Sequence, residues 1–358
     1  LEKDLIKLSP NHNEKLYKLP QGTERLVLDE AFRRQVLTHR VQNLFTSWGY
    51  QPVQTPVFDF YELYAPFLGA KADSVYRLVD REGDLLVLRS DITLFLARSM
   101  GVVLTEGHEP LRVCYADTIL RHQDLEDIAA NEFYQIGAEF IGSKGPEGDL
   151  ELLLLLDEIL NLLGLPEARI HIGSRALFNA AFGALSPAEQ RPLLEAVSLR
   201  RWDTVGPLSP LFAYQGDAAG AAALASSVPH LTPAIKQELA ALADRAASLE
   251  ALGLGDRFRV DLSEVGRHDY YTGMVFQVYQ PGLGDALATG GRYDQLFSRF
   301  GLDSPSVGFS LHLGKVEHLV DLGALAAPSG ARPAPGDTLA DRVKNARLLR
   351  AEGRIVTL

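Results

Sequence analysis

The chain has 358 residues, 46% hydrophobic and 23% charged, with 35 Lys and Arg against 46 Asp and Glu and a net charge of −11. This is chain enough for about two domains and a proper core, which excludes wholesale disorder and any need for covalent staples. The single cysteine, Cys114, excludes an internal disulfide and a cysteine-based zinc site, and the acidic balance argues against a surface built to hold nucleic-acid phosphates.

A reducing, cytosolic setting is expected. The opening Leu1-Glu2-Lys3-Asp4 leads into a mixed-charge stretch unlike a signal peptide. The most apolar run, Leu152 to Leu156, is closed by Asp157 and Glu158, far short of a membrane span. Residues 1–18 read as a polar N-terminal arm. Gln21-Gly22-Thr23 opens a helix pattern in which Val27, Ala31, Val36, Val41, Leu44 and Phe45 recur at roughly helical spacing, stopped by Gly49 and Pro52. Val53 to Phe58 reads as an edge-like strand. Val75–Asp80 and Leu85–Arg89 flank the Gly-containing turn Arg81–Asp84 and predict a hairpin. Next come a helix over Ile92–Met100, two extended runs over Leu111–Ala116 and Thr118–Arg121, a polar loop from His122 to Asn131, and a strand over Phe133–Ile141.

A buried helix is expected over Asp149–Leu163 and a short strand over Ile170–Ile172. From about residue 174 to 252 the chain is Ala/Leu-rich with helix signals and no strand run, which predicts a helical insertion. Strands follow over Arg257–Val260, Met274–Tyr279, Ala286–Thr289 and Val307–Leu311, with helices over Tyr293–Phe300 and Gly314–Leu319. Residues 326–336 are a Pro/Ala/Gly linker, and 337–358 hold one helix pattern and the strand pattern Arg354–Thr357, too little to bury a core alone. Frequent hairpins and few crossover helices predict an α+β fold with an antiparallel sheet.

Four segments are candidates for chemistry. In Phe133–Ile141 a period of two puts Gln135, Gly137 and Glu139 on one face, with Tyr134, Ile136, Ala138 and Phe140 on the other. The first face offers an amide, a carboxylate and a glycine gap for a ligand; the same pattern equally fits a strand with one face in solvent. Asp91 ends the hairpin, where it can cap the next helix or, with Thr93, face a pocket. Gly266-Arg267-His268-Asp269-Tyr270-Tyr271 carries paired tyrosines before a turn, and Gly290-Gly291 separates a strand from a helix. No dinucleotide, Walker, zincin, nucleophile-elbow or kinase pattern is present. His171, His268 and His312 lack metal-ligand spacing and read as structural, so neither a metal nor a cofactor is expected.

Taken in order, Leu86–Thr93, Leu120-Arg121-His122-Gln123, Tyr134–Glu139, Asp269–Gly273, Gly290–Asp294 and Val307-Gly308-Phe309 resemble the catalytic core of class II aminoacyl-tRNA synthetases, and among them histidyl-tRNA synthetase. The resemblance covers about residues 19–325. It implies a dimer with an amino-acid pocket on a six-stranded antiparallel sheet flanked by helices. It also implies a histidine site formed by Asp91, Thr93, Arg121, Gln135, Glu139, Tyr270, Tyr271, Gly290 and Gly291.

The departures from the synthetase pattern lie on its ATP side. Gly266 stands in the place of the catalytic arginine, and the adjacent Arg267 is expected to point the other way. Gln123 replaces a glutamate, Lys315 replaces a phosphate-binding arginine, and Asp124-Leu125-Glu126-Asp127 replaces a basic loop; Arg121 alone survives. The anticodon-binding domain is reduced to the remnant. This pattern resembles the synthetase-like regulatory subunits of ATP phosphoribosyltransferase, the first step of histidine biosynthesis. It implies a non-catalytic subunit that activates a short transferase and confers feedback inhibition by histidine, in a hetero-oligomer, with tRNA and membrane binding not expected. The alternative is a histidine-activating ligase or a divergent histidyl-tRNA synthetase.

Overall fold

A computed structural model describes residues 18–107, 110–122, 131–321 and 338–352. Gln123, the acidic loop Asp124–Asp127, the linker and the strand pattern at 354–357 lie outside the described residues.

In chain order the elements begin with helix α1 (Asp29–Ser47), strands β1 (Gln51–Pro52) and β2 (Phe58–Phe60), helix α2 (Tyr61–Leu68), strands β3 (Arg77–Val79) and β4 (Leu85–Leu88), and helix α3 (Ile92–Val103). Strands β5 (Leu111–Leu120) and β6 (Glu132–Ile141), helix α4 (Pro146–Leu162) and strand β7 (Arg169–Ser174) follow. The helical segment then runs through α5 (Arg175–Phe182), α6 (Pro187–Ser198), β8 (Gln215–Gly216), α7 (Ala218–Ser227) and α8 (Pro233–Ala251). Strands β9 (Phe258–Asp261), β10 (Met274–Tyr279), β11 (Ala288–Arg292) and β12 (Ser306–His312) complete the main sheet, and α9 (Leu339–Ala351) ends the described chain.

The main sheet has the order β1-β5-β6-β12-β11-β10-β7-β9-β8. From β5 to β7 every neighbouring pair is antiparallel. This antiparallel centre is as expected; at the flanks β1 runs parallel to β5 and β9 parallel to β7. One face of the sheet is apolar: Ile136, Ala138, Ile172, Phe276, Phe309 and Leu311 are buried there with Leu37, Val41 and Phe45 of α1 and Leu152, Leu156 and Ile159 of α4. Their spacing, two along the strands and three or four along the helices, is what brings the apolar sides together. The helical segment shares this core through Leu177, Phe178, Leu239 and Leu242.

Several boundaries differ from the expectations, each for a tertiary reason. The helix expected from residue 21 starts at Asp29, after a turn at Gly22 (φ +79°). Residues 53–58 are not one strand; the chain pairs at Gln51–Pro52 and again at Phe58–Phe60, with Pro56 between. The two runs at 111–121 are a single strand, because Ala116 and Asp117 stay in register with Ile136 and Gln135. Gly290 and Gly291 lie inside β11 rather than after it, opposite Phe276 and Val275. The helix expected over Tyr293–Phe300 is only a 3-10 turn over Phe297–Phe300, since the Tyr293 amide extends the ladder by bonding the Ser306 carbonyl at 2.8 Å. Within the helical segment, β8 pairs with β9.

A buried ion cluster joins the layers. Asp149 of α4 is fully buried and accepts from Arg292 Nε at 2.8 Å and from Arg245 Nε of α8 at 2.7 Å. Removing the acid takes a buried carboxylate from two guanidinium groups, of which Arg292 keeps Asp294 at 3.0 Å. Asp149→Ala is therefore expected to lower unfolding free energy by about 3–5 kcal/mol in a urea titration, the usual cost of breaking a buried pair.

Candidate functional site

The second face of the sheet, opposite the apolar core, carries a cavity of about 320 Å³. Its floor comes from alternate residues of the central strands: Gln135 and Glu139 of β6, Gln277 of β10, Thr289 of β11 and His312 of β12. Its walls come from the β4–α3 junction and the loop 266–271. Of the expected site residues, Asp91, Thr93, Arg121, Gln135, Glu139, Tyr270, Tyr271 and Gly290 line this one cavity. Gly291 is not among the lining residues; a Cβ there would stand 2.9 Å from the Tyr271 ring, so its bareness makes room for that ring. The solvent-facing reading of β6 is corrected, because Glu139 is 1% and Gln135 6% exposed. The gap at Gly137 is likewise corrected: a Cβ there would collide with the Tyr115 ring and the Phe309 carbonyl, so the space is occupied by protein.

At one end two carboxylates meet a group of hydroxyls. Glu139 accepts from Thr93 Oγ1 at 2.7 Å, from Tyr115 at 3.4 Å and, on its other oxygen, from Tyr293. Gly308 on the neighbouring strand leaves the space that this carboxyl fills. Burial pushes the Glu139 carboxyl up to about 8, against the opposing effect of the Tyr293 and Thr93 hydrogen bonds. Burial and the nearby carboxylates likewise raise the Tyr115, Tyr270, Tyr271 and Tyr293 phenols, which stay protonated donors. Asp91 does both things expected of it. Its Oδ1 caps α3 by accepting from the Leu94 amide at 3.1 Å, and its Oδ2 faces the cavity, 3.2 Å from the Tyr270 hydroxyl. The tyrosine rings pack edge to face, Tyr270 on Tyr271 and on Tyr293, and form an aromatic wall.

The other end carries positive charge that is partly spent. Lys315 Nζ lies 3.2 Å from Asp285. The Arg121 guanidinium lies 5.6 Å from the Phe133 ring centroid. Gly266 adopts φ +76°, and a Cβ there would stand 2.7 Å from the Tyr271 ring, so the position has no room for a side chain. This left-handed residue also breaks the extended alternation. The expectation that Arg267 points away is corrected: it lines the cavity. Two histidines read as structural are corrected too, since His268 and His312 both line it. His312 Nε2 stands 3.3 Å from Gln135 Nε2, and burial pushes its ring down to about 3, which keeps it neutral.

Sequence reasoning missed Tyr115, Tyr293 and Arg175. Tyr115 lies on β5 opposite Gly137, so the period of two contained its signal; Tyr293 falls just past β11 in a segment expected to be helix, where that period does not apply. Arg175 had no signal. It is 6% exposed at the start of α5, and its guanidinium donates to the carbonyls of Gly266 and His268, both at 3.0 Å. It pins from behind the loop that carries the tyrosine wall. Among the described residues, His171, Asp261 and Glu264 bring potential metal-ligand atoms within 4.8 Å of one another. A cation already serves that group: Arg200 donates to Asp261 at 2.8 Å, beside His171 at 3.0 Å.

The raised Glu139 carboxyl fixes a pH dependence. Its ordinary value is 4.5 and its folded value about 8, so between them the folded chain keeps a proton that the unfolded chain has released. This group's stabilisation is complete below the lower value and is lost as pH rises through the upper one. Glu139→Gln cannot titrate. Its melting temperature is expected to gain on the parent's between about pH 5 and about pH 8.5; parallel melting curves across that range would refute the assignment.

Comparisons with known proteins place the fold. A family model described as histidyl-tRNA synthetase matches residues 22–316. An ATP phosphoribosyltransferase regulatory subunit of Moorella thermoacetica is 31% identical over 355 residues, covering 95% of this chain and 91% of that protein. A crystal structure described as an ATP phosphoribosyltransferase regulatory subunit/histidyl-tRNA synthetase from Bacillus halodurans superposes with a TM-score of 0.83 at 24% identity, over 96% of this chain and 92% of that one. Histidyl-tRNA synthetase from a Nostoc species has the same fold, with a TM-score of 0.77 at 19% identity over 95% and 85% of the two chains. The chain therefore belongs to the family of ATP phosphoribosyltransferase regulatory subunits, built on the histidyl-tRNA synthetase domain.

Proposed function

We propose that the protein is a non-catalytic, cytosolic subunit that activates a short-form ATP phosphoribosyltransferase and makes it sensitive to histidine, which binds in the cavity described above. The observation that carries this reading is the contrast between the two ends of that cavity. The acidic end offers Asp91 for an α-ammonium, and Glu139 with Thr93 and the tyrosines for an imidazole. Arg121 and Gln135 stand where a carboxylate would follow. At the far end, position 266 has no room for a side chain and Lys315 is paired with Asp285. Adenylate formation depends on positioned positive charge; Arg121 and Arg267 still line the cavity, but position 266 supplies none and Lys315 is paired, so the site offers less transition-state stabilisation than that chemistry uses.

Self-association as a dimer is part of the proposal. The small sheet β2-β4-β3 turns Phe58, Phe60 and Leu78 outward, with Phe58 54% exposed. An apolar sheet face of this kind is suited to an isologous interface. Among the described residues no helix is long and apolar enough to cross a membrane.

The decisive measurement is phosphoribosyl transfer by a short transferase with and without this chain, across a histidine titration. Activation, with inhibition that requires the chain, is expected; no effect on either sinks the proposal. Asp91→Asn is expected to weaken histidine binding about ten- to hundredfold, matching about 1.5–3 kcal/mol for a hydrogen bond to a charged group. The surviving Arg121 favours a second reading, a histidine-activating ligase. Histidine-dependent ATP–pyrophosphate exchange would establish it, and its absence is expected.

A further inference from the structure

The residue at the mouth of the acidic end has a role of its own, which rests on the histidine reading above. Asp91 is already engaged before any ligand arrives. Its Oδ2 lies 3.2 Å from the Tyr270 hydroxyl and 3.4 Å from Nδ1 of His268. The His268 ring lies flat on Tyr270, with centroids 4.8 Å apart and planes at 19°. Its carbonyl oxygen is held by Arg175 at 3.0 Å. Ring and backbone are thus both fixed, and the ring edge is presented to the carboxylate. His268 lines the same cavity as Asp91, so an incoming ammonium and this imidazole address one oxygen.

We propose that His268 sets the affinity of the site, as an internal imidazole that competes with the ligand's α-ammonium for Oδ2 of Asp91. The protonated ring carries the same charge as the ammonium, so it both holds the carboxylate and repels the ligand. The neutral ring yields the oxygen to a full positive charge. Imidazole side chains ordinarily change state near about pH 6.5. Competition is therefore stronger where the ring is protonated, toward acid pH, and histidine binding drives a proton off His268. The charged groups that line cavities with it are Asp91 from the β4–α3 junction, Arg121 following β5, and Arg267 and Asp269 from its own loop, while Arg175 of α5 holds its carbonyl. The phenols of Tyr270 and Tyr271 pack on it directly. Asp91 lies within ion-pair distance of its ring nitrogen.

The test is calorimetric titration of histidine into the full chain, His268→Asn and His268→Gln, from about pH 5.5 to about pH 8.5. The ligand's own imidazole and Glu139 titrate in all three proteins and cancel in the ratio of parent to variant Kd. That ratio is expected to rise about fivefold or more from the alkaline to the acidic end, and the parent is expected to release more protons on binding, read from two buffers of different ionisation enthalpy. Asn and Gln differ in length, so a folding defect in one leaves the other to report. A ratio constant with pH in a folded variant overturns the inference and leaves the histidine reading intact. No histidine binding by the parent at any pH overturns both.

Discussion

The site depends on one constraint: a carboxyl group, Glu139, buried to 1% exposure in the middle of the central sheet, with hydroxyls rather than a cation around it. An ionised carboxylate in that place would need a positive partner, and none is among its hydrogen-bond donors; the group holds its proton instead. This explains why two buried tyrosines, Tyr115 and Tyr293, and Thr93 converge on it, since each brings a hydroxyl donor. It also explains Gly308 on the next strand, which leaves the volume that the carboxyl occupies. A buried site without a resident cation is complementary to a ligand that brings one. The same arrangement would be a liability in a core with no ligand to receive, because ionising it works against the fold.

The opposite end of the cavity follows a different logic. Position 266 is closed by backbone conformation as well as by residue identity, since a left-handed φ and the Tyr271 ring together exclude a Cβ. Restoring an arginine there would require the loop and the tyrosine wall to move. Position 266 is thus coupled to the packing of the other end: the ring that closes it is part of the tyrosine wall of the cavity. Lys315 has a carboxylate partner within the protein, so its charge is committed before any phosphate approaches. Arg121 lines the same cavity, 5.6 Å from the Phe133 ring centroid.

Much of this was legible in the sequence because strands have a period of two. Alternation along 133–141 put Gln135 and Glu139 on one side, and both reach the cavity. Asp91 read equally as a helix cap or a pocket residue and is both, since its two oxygens serve separately. What failed needed information from across the fold. Gly137 and Gly291 looked like room for a ligand and are room for Tyr115 and Tyr271. Arg267 was misplaced because parity does not survive a left-handed residue immediately before it. Arg175 lies 91 residues before Gly266, whose carbonyl it holds, and nothing in its neighbourhood marks it. The parallel flanks of the sheet were missed because β1 is only two residues long and carries no pattern, and because β7 and β9, though legible as strands, carry nothing in sequence that sets their relative direction.

For a regulator of the proposed kind, tight binding of histidine is not enough. A ligand shifts an equilibrium only by its difference in affinity between two states, so occupancy must change contacts that the protein otherwise makes. The contacts available are those of the 266–271 loop, because Tyr270 and His268 hold Asp91 in the unliganded protein and a bound ammonium would share or displace them. That loop is not isolated. Arg175 ties its carbonyls to the first turn of α5 and thereby to the helical segment. Downstream of the sheet's edge, Asp261 of β9 is gripped by Arg200 and Gln215 from the same segment. Glu264, three residues on, bonds Gln277 on the cavity floor. The stretch from 261 to 273 is therefore fastened to the pocket on one side and to the helical segment on the other. A change of partner at Asp91 is felt by both, which is the minimum that any coupling between the cavity and a distant surface requires.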